Sequence, residues 1–131
     1  MKKILVCLSM LIVLFTAHVS DNRAETRGGK NIIEKIITQE IGLPVTIEGP
    51  FTIEEVEKRA MEEIKKSPEA PQIPFGYINE EWQEFKKKCS KNSAIYAFDS
   101  SRESWEALRG RKGYALIDNN KVIDIIITRM S

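Results

Sequence analysis

Gly113-Tyr-Ala-Leu-Ile-Asp118, Asn119-Asn120 and Lys121-Val-Ile-Asp-Ile-Ile-Ile-Thr128 form the stretch whose reading decides the fold. Two runs rich in β-branched and aromatic residues flank a pair of asparagines. Asparagine tolerates positive φ, so the spacing predicts a two-residue type I′ hairpin. With Asp118 opposite Lys121, an unbroken ladder sorts the side chains into two faces. One shows Tyr114, Leu116, Ile123, Ile125 and Ile127; the other shows Ala115, Ile117, Val122, Asp124, Ile126 and Thr128. The first is apolar apart from one phenol and is expected to pack on helices. The second is mixed, and is expected to be partly exposed or covered by another element.

Working upstream, Ser100 and Glu103 fit an S-x-x-E capping box that opens a short helix carrying Trp105 and Leu108 and ending at Gly110. Ala94 to Phe98 reads as a strand. Ile78, Trp82, Phe85 and Cys89 recur at i, i+4, i+7 and i+11, one apolar stripe on a helix beginning near Asn79. Cys89 is thus expected to serve as a small core hydrophobe. Lys86, Lys87, Lys88 and Lys91 fan around that helix and are expected to form a solvated face, not a patch. Pro68, Pro71 and Pro74 stiffen the crossover before it.

Earlier still, Thr52 and Glu55 form a T-x-x-E capping box with Phe51 and Val56 at the staple positions. The helix they open carries Ile53, Val56, Ala60 and Ile64 inward, and Pro68 ends it. Val45 to Glu48 alternates like a short strand. Asn31 can cap a first helix bearing Ile33, Ile36 and Ile37, stopped by Gly42 and Pro44. The expectation is a single α+β domain over residues 31–131, with about three helices packed on one face of a small antiparallel sheet ending in a C-terminal β-hairpin.

The N-terminus sets the compartment. Met1-Lys2-Lys3 and the apolar run Ile4 to Phe15 match the n and h regions of a secretory signal over residues 1–20, with cleavage expected between 17 and 24. The run is shorter than the roughly 20 apolar residues of a membrane span, so no stable span is expected after cleavage; a retained anchor is the alternative. Residues 21–30 are polar and read as a flexible leader. The expected location is periplasmic or secreted. Loss of Lys2 and Lys3 takes the formal charge from +1 to −1, with 18 basic residues against 19 acidic. That balance argues against nucleic acid, whose binders concentrate positive charge.

Cleavage also removes Cys7 and takes His18, the only histidine, out of the core. Histidine-assisted nucleophilic catalysis is therefore excluded there, and neither a metal nor a cofactor is expected. Glu80, Glu81, Asp99, Glu103 and Asp124 leave one enzymatic reading, a carboxylate-dependent hydrolase acting on glycans. The sharpest local signature is Trp105-Glu-Ala-Leu-Arg-Gly-Arg-Lys-Gly-Tyr-Ala-Leu-Ile117. Its glycines and tryptophan have structural explanations, as helix cap, close strand approach and core anchor. Neither capping nor core packing demands a guanidinium at Arg111, so Arg109, Arg111 and Lys112, crowning a tight loop, together with the adjoining Trp105, are the candidate binding residues.

Trp105, Leu108, Gly110, Arg111, Gly113, Tyr114 and Leu116, with the closing Ile125-Ile-Ile-Thr-Arg-Met-Ser131, also carry a resemblance. They resemble the W-x-x-L-x-G-R-x-G-Y-x-L pattern and the hairpin ending near I-x-T-x-M of small, mostly uncharacterised exported proteins of Gram-negative bacteria. The likeness covers the last third of the chain. It implies a periplasmic or secreted domain and supplies no activity. The function expected from the sequence is that of an exported small binding protein, an inhibitor, immunity-like protein or accessory subunit, whose partner is a protein or an acidic ligand in the cell envelope.

Overall fold

The computed structural model describes residues 29–131; the segment expected to be an export signal, the expected cleavage region, Cys7 and His18 lie outside the described residues. The elements in chain order are helix α1 (residues 29–41), strand β1 (Val45–Phe51), helix α2 (Ile53–Ile64), a 3-10 turn (Gly76–Ile78), helix α3 (Asn79–Lys87), strand β2 (Ala94–Ser100), the short helix α4 (Arg102–Glu106), and strands β3 (Arg111–Asp118) and β4 (Lys121–Met130). The strands form one antiparallel sheet in the order β1-β2-β3-β4. The class is α+β and the chain closes on a hairpin. Asn119 and Asn120 take φ of 50° and 57° between Asp118 and its partner Lys121, the expected turn.

The helices do not share one face, however. Alternate residues of β3 enter two separate cores. Tyr114 and Leu116 join Val56 of α2 and Trp82 and Phe85 of α3, whereas Ala115 and Ile117 join Ile33 and Ile37 of α1. A β-bulge in the hairpin divides β4 between these two cores. Ile117 pairs with Val122 but Leu116 pairs with Asp124, which leaves Ile123 outside the ladder and 44% exposed. An unbroken ladder would set Asp124 beside the fully buried Ala115. The extra residue moves it to the α3 side, where Lys88 Nζ donates to Asp124 Oδ2 at 3.1 Å. It also turns Ile126 towards α2 and α3, and Ile125 and Ile127 towards α1. Each face of the sheet thereby receives isoleucine from β4.

Local signals hold elsewhere with shifts of a residue or two. Thr52 caps α2, its Oγ1 accepting from Glu55 N at 3.2 Å, and Phe51 packs in the core that Val56 enters. The α4 cap is displaced by one: Ser101, not Ser100, accepts from Ser104 N at 3.3 Å. Ser100 is buried at the end of β2, where its Oγ accepts from Arg111 N at 2.9 Å. Residues 29 and 30 are already helical, so Asn31 lies within α1 and the leader expected over 21–30 stops short of its last two residues. Cys89 falls just past the end of α3, half-buried, its thiol facing Phe85 O at 3.7 Å. The neighbouring lysines fan out as expected: Lys86 pairs with Glu57, Lys87 with Glu84 and Lys88 with Asp124.

Candidate binding groove

A cavity of about 750 Å³ opens where α2, the crossover after it and one end of the sheet meet. Arg59 and Glu63 line it from α2, Phe75 and Tyr77 from the crossover, and Tyr114 and Lys112 from β3. Thr128 and Arg129 of β4 complete the sheet side. This volume falls in the range of small-molecule sites.

The crossover wall is held in shape by side chains bonding to its own backbone. Gln72 Nε2 donates to Ala70 O at 2.9 Å, Tyr77 Oη to Glu69 O at 3.1 Å, and Asn79 Nδ2 to Pro74 O at 2.8 Å. Phe75 adopts φ 65°, a left-handed conformation costly for a bulky side chain. Its ring is kept there by Trp82 (4.9 Å between centroids) and Tyr114 (5.8 Å, edge-on).

Charge is distributed unevenly around the groove. Arg59 is committed to Glu48 (3.3 Å) and to the face of the Phe51 ring (4.5 Å), and Glu63 to Lys66 (2.9 Å). The Lys66 hydrogen bond holds the Glu63 carboxyl below its ordinary range, against some desolvation, with smaller help from Lys112 and Arg129. Burial pushes the Tyr114 phenol up, partly opposed by Arg59, so at neutral pH it remains a protonated donor at the groove floor. Lys112 and Arg129 have no ion-pair partner among the described residues.

Of the candidate binding residues Arg109, Arg111, Lys112 and Trp105, only Lys112 lines this groove. The segment Gly110 to Gly113 is not a tight loop crowned by cations, because β3 already begins at Arg111. Successive strand residues point to opposite faces, so Arg111 and Lys112 diverge. Arg111 Nη1 donates to the adjacent Gly110 O at 2.8 Å, and Arg109 is exposed away from the groove. Nor does Gly110 cap a helix. The left-handed residue after α4 is Leu108 (φ 59°), and a Cβ at Gly110 would collide with the Trp105 ring. Trp105 acts behind the groove: its Nε1 donates to Asp99 Oδ1 at 2.8 Å, and the Arg129 guanidinium lies 5.3 Å from its ring.

Sequence reasoning missed Arg59, Phe75, Tyr77 and Arg129. The available signal was the crossover itself, where three prolines brace a segment carrying two aromatics around Gly76. None of the carboxylates weighed for hydrolysis lines the groove. Glu80, Glu81 and Asp124 border a shallow hollow of about 350 Å³ with Ile125 and no aromatic side chain. Asp99 is engaged by Trp105 and Asp124 by Lys88. Among the described residues no group of three histidine, cysteine or acidic side chains converges on a metal position. No protein-family description, curated protein or solved structure matches the chain.

Proposed function

We propose that the protein is an exported small binding protein, of the inhibitor, immunity-like or accessory-subunit kind, and that its partner occupies the groove between α2, the crossover and the sheet. The observation that carries this reading is the combination of a braced, aromatic-lined groove with two cations at its sheet end that form no ion pair among the described residues. Such groups orient a partner where the surrounding apolar wall supplies contact area. Export to the periplasm or beyond is supported by the Lys2, Lys3 and Ile4 to Phe15 pattern. Among the described residues no helix is long and apolar enough to cross a membrane.

The hydrolase reading is weaker. Glycoside hydrolysis wants two free carboxyls facing each other across the substrate, yet Asp99 is engaged by the Trp105 indole and Asp124 by Lys88. The test of the binding reading is capture from the native envelope with the tagged protein and with its Lys112→Glu/Arg129→Glu variant, read by mass spectrometry. A partner recovered with the native groove and lost with the reversed charges is the expected result. A partner recovered equally by both proteins would remove the groove from the account.

A further inference from the structure

We infer that the groove takes a small amphiphilic anion, its carboxylate or phosphate head gripped jointly by Lys112 and Arg129 and its apolar body laid along Phe75, Tyr77 and Tyr114. The inference rests on the groove being the binding site and specifies the chemistry of its occupant.

The strongest support is how the two cations come together. From Tyr114↔Ile126 and Gly113↔Ile127, a regular ladder would next pair Lys112 with Thr128. The strand instead bulges at Thr128, so that Lys112 faces Arg129. Like charges directly opposite each other across strands are unfavourable, and bulges recur where a side chain is re-aimed at a functional position. The bulge is built in from both sides. A Cβ at Gly113 would collide with the Ile126 carbonyl, and Thr128 Oγ1 donates to Lys112 O at 3.2 Å. The Arg129 guanidinium is further positioned by the Trp105 ring, itself fixed by Asp99 and by the bare Gly110 against it. Asp99, opposite Lys112 on β2, accepts from the Trp105 indole and forms no ion pair with either cation. A guanidinium and an ammonium set side by side with no ion-pair partner among the described residues suit one shared anion.

The acids of the groove do not fill that role. Glu63 is bonded to Lys66, and neither Glu62 nor Glu69 approaches Lys112 or Arg129 within ion-pair distance. They lie on the α2 and crossover side, opposite the sheet-borne pair. Polarity along the groove therefore orders a ligand with its anion at the sheet end. The protonated Tyr114 hydroxyl offers a further donor, and the exposed ring of Tyr77 extends the apolar wall outward.

The test uses three probes of similar shape on the isotopically labelled protein, followed by amide chemical shifts: 3-phenylpropionate, phenethyl phosphate and the neutral 3-phenylpropanamide. At least one anion is expected to shift Lys112, Tyr114, Thr128 and Arg129 saturably, at least ~10-fold more tightly than the amide; which anion binds better separates carboxylate from phosphate recognition. Lys112→Gln/Arg129→Gln should abolish the preference, and Lys112→Gln alone should reduce it without lowering thermal stability. Equal binding of amide and anions in the groove would overturn the charge inference and leave the groove reading standing. No groove shift with any probe would count against both.

Discussion

Trp105 shows at the scale of one residue how local packing meets the proposed anion site. Its ring is pressed against Gly110, tied to Asp99 and placed under Arg129. That the tryptophan and the glycine matter was legible from their pattern; why they matter was not, because the closeness of ring and backbone is a tertiary fact. Gly110→Ala is expected to cost about 1–3 kcal/mol through overpacking, measured as a lower urea midpoint together with altered tryptophan fluorescence. Cys89 is a second such case. The helical stripe pointed it inward, but α3 ends before it and leaves it half-buried. Burial raises its thiol pKa, so the thiolate that reacts is scarcer at neutral pH. Labelling by a thiol reagent across pH should be slower than for an unstructured cysteine peptide, with its midpoint displaced upward; a profile matching the peptide would contradict this.

At the scale of elements, the hairpin turn was legible and its ladder was not. Local residue chemistry determines a type I′ turn, whereas a bulge is settled by what each face must pack against. Nothing in Lys121-Val-Ile-Asp marks Ile123 as the extra residue until Ala115 and Lys88 are in place. Two substitutions separate the ladders. Ile126→Ala should cost ~2–5 kcal/mol as a core truncation, while Ile123→Ser should stay within about 0.5 kcal/mol as a surface change. The unbroken ladder would put Ile123 in the principal apolar face and make its loss severe. The turn has its own check. Asn119→Ala and Asn120→Ala should each cost on the order of 1–2 kcal/mol, because alanine resists the left-handed conformation, and Asn120→Gly should be close to neutral. Urea unfolding of the set measures both points.

At the scale of the whole molecule, the α+β class and the order of its elements followed from capping boxes, apolar periodicity and turn residues. The two-sided sheet did not follow, because which element covers the second face is decided only when α1 packs on β1, β2 and β3. The candidate groove escaped for a related reason: its walls come from α2, a crossover and two strands that lie far apart in sequence. The N-terminal pattern carries its own expectation. Intact mass of the protein isolated from the envelope fraction should show a chain beginning between His18 and Glu25, and an intact Met1 on a cytoplasmic protein would contradict export.

Tyr77 and Leu108 are both 76% exposed, one at the groove and the other outside it beside Arg109. Equal exposure makes them a matched pair for site-specific photo-crosslinking in the native envelope. With a benzophenone side chain placed by Tyr77→p-benzoylphenylalanine, a covalent adduct is expected, and with Leu108→p-benzoylphenylalanine none. An adduct formed from position 108 and not from position 77 would move the binding surface to the Arg109–Arg111 segment and contradict the groove.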